Sequence, residues 1–194
     1  MKNAFAIGFL IIVGNISWGQ IPVDEYHYYT LSEINNVNPD TIYALDLSKQ
    51  RLSELPSELQ KFKNIRGLKL SRNKLTNLPE FFTEFKQIEF LYLNKNKLNH
   101  FPSVIFHLSD LVYLDISKNK MISIPAGIKN LKKLKYLDVW DNRFTSIDPA
   151  FAELQQLEFI DFRGTTFGTS FVEKWTLAFP NGVVKFDNPC NCLD

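Results

Sequence analysis

The residues best suited to catalysis or metal binding are few in this chain. Its three histidines are His27, His100 and His107. The last two lie close together in sequence but have no cysteine or glutamate at the spacing that a zinc site uses. The sequence also contains neither a glycine-rich phosphate loop nor the serine elbow of a hydrolase. We therefore expect no catalytic residues, no cofactor and no metal site.

A second group of residues recurs every 23 positions and is suited to molecular recognition. Its aromatic members are Phe90, Tyr113, Tyr136 and Phe159, which we call the aromatic row. Two residues after them come Tyr92, Asp115, Asp138 and Asp161, and two positions further on stand Trp140 and Arg163. On neighbouring strands about 4.8 Å apart, these positions form adjacent rows on one face of a sheet. Aromatic side chains beside charges are typical of binding hot spots, but cross-strand stacking that only stabilises a sheet gives the same pattern.

Three of these positions carry like charges, because Asp115, Asp138 and Asp161 follow one another in what we call the acidic row. Like charges on neighbouring strands destabilise a sheet. Three sources of relief remain open at this point: nearby basic side chains, a bound cation, or a basic group of a ligand. The basic side chains in question are Lys118, Lys135 and Arg163.

Basic residues form two further rows at the same spacing. The first row, which we call the basic edge, consists of Lys49, Arg72, Lys95 and Lys118. The second basic row lies two residues later and consists of Arg51, Lys74, Lys97, Lys120 and Arg143. These rows are either ordinary solvated side chains or a surface for an anionic partner, such as an acidic protein, a polysaccharide or a cell-surface polymer.

The common spacing reflects five consecutive copies of a 23-residue unit. The copies begin at Ile42, Ile65, Ile88, Leu111 and Leu134, and an incomplete sixth begins at Leu157. A Leu-x-Leu alternation, as in Leu68-Lys69-Leu70 and Leu91-Tyr92-Leu93, predicts a short strand with its leucines inward. One unit cannot bury its apolar face alone, so stacked copies must share a continuous core.

Two further positions recur after each strand. Asparagine follows it at Asn73, Asn96, Asn119 and Asn142, and proline starts the return segment at Pro56, Pro79, Pro102 and Pro125. Proline fixes φ and donates no hydrogen bond, which favours the start of a short helical or irregular segment. In the fifth unit Asp148 replaces the proline and Pro149 follows it, so we expect an altered turn there.

This pattern resembles the leucine-rich repeat family, in its 23-residue Leu-Pro form, over residues 42–167. The resemblance implies an α/β fold, a right-handed solenoid or horseshoe with a concave parallel β-sheet and short helical or irregular convex segments. It also implies that the asparagine side chains turn inward and hydrogen-bond to backbone groups of neighbouring repeats. Secreted bacterial proteins share this form, and most members of the family bind other molecules rather than catalyse reactions.

The flanking residues are expected to cap the stack. In residues 20–41, the N-terminal cap, Thr30 and Glu33 match a capping box that predicts a short helix. In residues 168–194, the C-terminal cap, the sequence predicts a helix that stops at Pro180-Asn181-Gly182 and then a strand. The two caps together predict a closed array.

The first 19 residues predict export from the cytoplasm. Residues 4–13 form an apolar run that is too short for a membrane span, which needs about 20 residues. Ser17-Trp18-Gly19 then matches a signal-peptide cleavage site before Gln20. We expect a secreted, periplasmic or cell-surface protein without a membrane span. In that setting Cys190 and Cys192 form a strained bridge, an intermolecular disulfide or free thiols.

Charge and composition restrict the partners. The formal net charge of the 194 residues is +1, which gives no reason to expect nucleic acid. We predict a non-enzymatic module that recognises a protein, or a glycan, through the concave face of the repeats. The alternative is a structural or adhesion component that holds an anionic surface polymer through the basic edge.

Overall fold

The computed structural model describes residues 24–34, 37–165 and 167–188. The predicted signal sequence and its cleavage site lie outside these residues, and so do both cysteines. Within the described part of the chain, no helix is long and apolar enough to cross a membrane.

An eight-stranded parallel sheet runs through the repeats. Its strands are β1 (Tyr29–Thr30), β2 (Ala44–Asp46), β3 (Gly67–Lys69), β4 (Phe90–Tyr92), β5 (Tyr113–Asp115), β7 (Tyr136–Asp138), β9 (Phe159–Asp161) and β10 (Val183–Lys185). They pair in chain order, and two short strands, β6 (Ser123–Ile124) and β8 (Ser146–Ile147), form a separate parallel pair. All pairings are parallel because each repeat returns over the other side of the core before it adds its strand.

The sheet register follows the 23-residue period without a slip. Leu68 lies opposite Leu91, and Leu114 lies opposite Leu137. These central residues are fully buried, while the residues before and after them in each strand point to the opposite face. The leucines therefore form the continuous core that the repeats predict, and the solenoid fold is confirmed.

The return segments are short 3-10 helices on the other side of the core. In the five full repeats they span Ser57–Lys61, Glu80–Glu84, Ser103–His107, Ala126–Asn130 and Pro149–Glu153. Each segment buries at least one large apolar side chain in the core, for example Leu59 or Phe82. A further 3-10 turn, Pro39–Thr41, precedes the first repeat.

The prediction of an altered turn in the fifth repeat is wrong. Asp148 has φ −64° and ψ 137°, which lies within the range of the prolines that begin the other return segments. Its side chain accepts a hydrogen bond from the Ala150 N–H at 2.9 Å, and Pro149 takes the first helical position. An aspartate N-cap followed by proline therefore reproduces the geometry that proline gives elsewhere.

The asparagine ladder is confirmed. In a central repeat, Asn96 Nδ2 donates to the carbonyls of Leu70 and Leu93 at 3.0 and 2.9 Å. Asn96 Oδ1 accepts from the Leu75 N–H at 3.1 Å. The same inward contacts recur at Asn73, Asn119 and Asn142. Each amide thus joins the backbones of two consecutive repeats.

The prediction for the N-terminal cap is wrong in one respect, whereas the predicted elements of the C-terminal cap are present. Glu33 accepts from the N–H and the hydroxyl of Thr30, both at 2.7 Å, but these residues form a turn and not the predicted helix. Among the described residues no backbone N–H donates to the hydroxyl of Thr30, so this hydroxyl does not cap a helix. At the other end helix α1 (Thr169–Ala178) buries Trp175, and β10 pairs with β9, as the sequence predicts.

Candidate functional site

The concave face brings the predicted rows into register. Phe90, Tyr113, Tyr136 and Phe159 lie opposite one another on successive strands, and so do Tyr92, Asp115, Asp138 and Asp161. In the aromatic row the ring centroids of Phe90 and Tyr113 are 6.2 Å apart, and those of Tyr113 and Tyr136 are 6.5 Å apart. The rows therefore form one surface across β4, β5, β7 and β9.

One half of this surface is covered by residues 24–28 of the chain itself, which we call the covering segment. The ring of Tyr26 packs edge-on against Phe90 with centroids 6.1 Å apart. The hydroxyl of Tyr92 donates to Asp24 Oδ2 at 3.2 Å, and Tyr28 also donates to that oxygen. The covering segment thus lies over β3 and β4, and Phe90 is buried beneath it.

Gly67 leaves the space on β3 that Tyr28 of the covering segment occupies. A Cβ at this position would lie 2.8 Å from Tyr28 Cζ, so any side chain at position 67 would displace the phenol. Lys69 Nζ lies over the same ring, 3.5 Å from its centroid. A glycine inside a strand is often the sign of such a close approach.

The remaining surface over β5, β7 and β9, which we call the open half, contains a cleft of about 260 Å³. Its lining consists of Tyr113, Tyr136, Asp138, Phe159, Asp161, Arg163 and Lys185. Six of these seven residues belong to the predicted site. The cleft therefore combines an aromatic floor with two carboxylates and two basic side chains.

The charges of the acidic row are compensated unequally. Arg163 Nη2 lies 2.6 Å from Asp161 Oδ2, and its Nε is 2.9 Å from Oδ1. Asp115 Oδ1 accepts from the N–H and the hydroxyl of Ser117 at 3.0 and 2.7 Å. Asp138 Oδ1 accepts only from the Trp140 N–H, at 3.0 Å. Within the described chain Asp138 is thus the least compensated member of the row.

Two of the basic side chains expected near the acidic row are engaged elsewhere. Lys118 Nζ lies 4.1 Å from the ring of Trp140, and Lys135 Nζ pairs with Glu158 at 2.8 Å. Burial, and then the neighbouring charge of Asp115, raise the pKa of Asp138 to about 6. Burial also raises the pKa of Asp115. Within the described residues a basic side chain therefore pairs directly with the row only at Asp161, whereas Lys95 and Arg163 act on Asp115 and Asp138 through their charge alone.

Tyr136 and Trp140 are held in defined positions at the edge of the cleft. The hydroxyl of Tyr136 donates to Glu158 Oε2 at 2.7 Å, and burial together with this hydrogen bond raises the pKa of Tyr136 to about 12. Trp140 is 36% exposed, and Lys118 covers one side of its ring. An ordered, amphipathic aromatic pair of this kind loses little conformational entropy when a partner binds.

The basic edge has an unusual backbone. Lys49, Arg72, Lys95 and Lys118 have φ between 53° and 62°, and the equivalent residues of the next two repeats are Asp141 and Gly164, with φ of 54° and 78°. The N–H of each basic-edge residue donates to a carbonyl of the next repeat, which fixes this left-handed conformation. No member of either basic row forms an ion pair within the described residues, whereas seven other basic side chains do.

Sequence reasoning missed the covering segment and Lys185. The covering segment lies outside the repeats, so no periodicity marks it; Gly67, the one glycine in the aromatic-row positions, was the available signal. Lys185 enters the cleft from β10, whose register opposite Asp161 depends on the preceding helix and loop.

No group of three metal-binding side chains is present in the parts of the chain that the structure describes. The arrangement is suited to binding a ligand by aromatic and charged contacts.

Comparison with known proteins agrees with this geometry. A leucine rich repeat family model matches residues 40–98 and 91–144. The solved structure of a leucine-rich repeat protein from Leptospira interrogans has a TM-score of 0.65 and 24% sequence identity, over 79% of this chain and 46% of that one. This chain thus corresponds to less than half of that protein, and no curated protein matches it. Leucine-rich repeat domains are commonly protein-interaction modules. The repeats, the asparagine ladder and the family match together show that the chain belongs to the leucine-rich repeat family.

Proposed function

We propose that this chain is a non-enzymatic binding module that recognises a partner protein through the open half of the concave surface. The observation that supports this function is the cleft of about 260 Å³ between Tyr113, Tyr136 and Phe159, beside charged side chains. Its position continues the surface that the covering segment already occupies. A glycan is the alternative ligand for the same aromatic floor.

The chemistry of the open half favours a protein over other ligands. Protein hot spots are enriched in tyrosine, tryptophan and arginine, and Tyr136, Trp140 and Arg163 lie together there. Trp140 extends the aromatic surface beyond the cleft, at a position where the four preceding repeats have the small polar residues Ser48, Ser71, Asn94 and Ser117. Because no rule of sheet pairing requires tryptophan at this position, its presence is better explained by contact with a partner.

The test is to identify a captured partner by mass spectrometry and then to compare its affinity for single variants. Tyr136→Ala or Trp140→Ala should weaken binding by about 2 kcal/mol, or roughly 30-fold. Tyr43→Ala is the matched control, since Tyr43 is 48% exposed and lies outside the cleft. Equal affinities of the Tyr43→Ala and Tyr136→Ala proteins would contradict the proposal.

We also propose that the module acts outside the cytoplasm, because residues 1–19 have the features of a cleaved signal sequence. The natural protein should then begin at Gln20 or within a residue or two of it. Mass spectrometry of the purified protein checks this, and an intact N-terminus would remove the extracellular class of partners.

The basic edge supports a second candidate function, which is adhesion to an anionic surface polymer. The nine side chains of the two basic rows are free of ion pairs within the described residues, so their charge is available to a polyanion. Salt separates the two functions. Binding through the basic rows should weaken steeply between low and high ionic strength, whereas binding through the aromatic cleft should change little.

A further inference from the structure

Aromatic rings on the concave surface repeatedly accept a cation from the chain itself. Lysine ammonium groups lie over the rings of four aromatic residues, namely Tyr28, Trp140, Phe159 and Tyr92, at 3.5, 4.1, 4.9 and 5.5 Å from the centroids. The donors are Lys69, Lys118 and Lys185. Among the described residues, no cation lies over Tyr113 or Tyr136, although both rings line the cleft. The cleft therefore contains two further rings of the type that binds cations elsewhere on this surface.

Asp138 supplies an incompletely used carboxylate beside these rings. Its Oδ1 accepts from the Trp140 N–H, while its Oδ2 receives no hydrogen bond from any described residue. Asp115 and Asp161 flank it on the neighbouring strands, and both of them have additional donors. A positive group in the cleft would relieve the repulsion within the row and satisfy the free oxygen at the same time.

The basic residues of the cleft do not make it a site for an anion. Arg163 is committed to Asp161 through two of its nitrogens, and Lys185 lies over the ring of Phe159. Lys185 is left with this aromatic contact alone, so among the described residues Asp138 is the cleft carboxylate that has no basic partner. In addition, a volume of about 260 Å³ is below the usual range for a small-molecule site, and it suits the end of one side chain.

We propose that the cleft binds the cationic end of a lysine or arginine side chain of the partner protein, with Asp138 as its counter-ion and Tyr113 and Tyr136 as its aromatic walls. This proposal rests on the proposed function, because it specifies the ligand chemistry of the same surface. It also assigns a role to the like charges of the acidic row, which destabilise the sheet without a cation.

Protonation of Asp138 gives the proposal a pH dependence. The charged and titratable groups that face Asp138 are Asp115, Asp161 and Arg163, Lys185 on the edge strand, and the phenols of Tyr113 and Tyr136. Since burial and Asp115 raise the pKa of Asp138 to about 6, the carboxylate is largely neutral at pH 5 and ionised at pH 7.5. A cation binds the ionised form, so affinity should rise with pH across this interval.

The experiment uses three tripeptides with blocked ends, Gly-Lys-Gly, Gly-norleucine-Gly and Gly-Glu-Gly, titrated into the isotope-labelled chain at millimolar concentrations. Amide resonances of Asp138 and Trp140 report on the cleft, because these two residues share a hydrogen bond. We expect saturable shifts with the lysine peptide at pH 7.5 and about tenfold weaker binding at pH 5. Equal shifts with the norleucine peptide, stronger shifts with the glutamate peptide, or no shifts with any peptide would overturn the proposal.

Two matched variants complete the test. Asp138→Asn should weaken binding of the lysine peptide about tenfold, since the side chain keeps its acceptor for Trp140 but loses its charge. Asp46→Asn should leave the affinity unchanged, because Asp46 accepts from the Ser48 N–H in the same way but lies outside the cleft. Equal effects of the two substitutions would reject Asp138 as the counter-ion. If the peptides fail to bind while Tyr136→Ala still abolishes capture of the partner, the proposed function stands and the cationic ligand is wrong.

Discussion

Tyr28 fills the space that a side chain at position 67 would occupy on the concave surface. A Cβ on Gly67 would lie 2.8 Å from Tyr28 Cζ and 3.2 Å from the Cβ of Ala44 on the preceding strand. The covering segment is therefore fitted to a gap in the row of outward side chains. It shows, within the chain itself, that a tyrosine-containing segment can pack against this surface.

The first prediction concerns this pair. Gly67→Ala should displace Tyr28 and lower the free energy of unfolding by about 1 kcal/mol, because the contacts of the covering segment are lost while the strand itself tolerates alanine. Hydrogen exchange of residues 24–30 should accelerate, whereas exchange in β5 and β7 should stay unchanged.

A double-mutant cycle with Tyr28→Ala isolates the contact. Once the phenol is absent, Gly67→Ala should no longer destabilise, so the effects of the two substitutions should be non-additive by about 1 kcal/mol. Additive effects would show that Tyr28 and position 67 do not share this space.

The second prediction concerns the asparagine ladder. Asn96→Ala removes three hydrogen bonds and leaves the backbone groups of Leu70, Leu75 and Leu93 without those partners. The carbonyls of Leu70 and Leu93 keep the bonds that Asn73 and Asn119 donate, so the Leu75 N–H is the group left unsatisfied. Because an unsatisfied buried N–H costs about 1–3 kcal/mol, the free energy of unfolding should fall by about 2 kcal/mol. Denaturant titration measures it, with the exposed neighbour Lys97→Ala as the control. Equal midpoints of the two variants would contradict the role of Asn96.

The fold was predictable because a single period specifies both the strand and its neighbours. The alternation around Leu68 sets which side chains turn inward, and the 23-residue spacing then aligns Phe90, Tyr113 and Tyr136 on adjacent strands. The inward position of Asn96 follows in the same way, since every repeat has an equivalent backbone to bind. A repeated sequence thus gives reliable information about relative side-chain positions.

The parts of the site that were not predicted are those outside the repeat. The covering segment occurs once, and its contacts with Phe90 and Tyr92 join residues more than 60 positions apart. Asp148 shows a different reason, because aspartate and proline satisfy the start of a 3-10 turn by different means, a side-chain acceptor or a fixed φ. A sequence pattern records the residue type, whereas the fold needs only the backbone geometry.

The third prediction concerns the basic edge. Arg72 has φ 59°, a conformation that is unfavourable for a large side chain and natural for glycine, which occupies the equivalent position as Gly164. Arg72→Gly should therefore raise the free energy of unfolding by about 0.5–1 kcal/mol. Lys74→Gly, two residues away, is the control and should lower it, because glycine adds flexibility there without relieving strain.

The affinity of the Arg72→Gly protein for a sulfated polysaccharide tests whether the basic edge binds an anionic polymer. If the basic edge holds an anionic polymer, Arg72→Gly should weaken that binding even though the protein is more stable. If the Arg72→Gly protein is more stable and binds the polymer with unchanged affinity, Arg72 has no role in binding it.

The last prediction concerns the stability cost of Asp138. Its pKa is about 6 in the folded protein against an ordinary value of 3.8, so the folded state holds the proton more tightly. Ionised Asp138 therefore destabilises the fold above pH 6, and this effect disappears as the pH falls to 4. Asp138→Asn should raise the free energy of unfolding by about 1–2 kcal/mol at pH 7.5, after allowance for partial solvation, and should give no gain at pH 4. Asp46→Asn, opposite Lys69 rather than a carboxylate, should give no such pH-dependent gain. Denaturant titrations at the two pH values measure both differences, and an Asp138→Asn protein that is less stable at pH 7.5 would show that the ionised row stabilises the sheet.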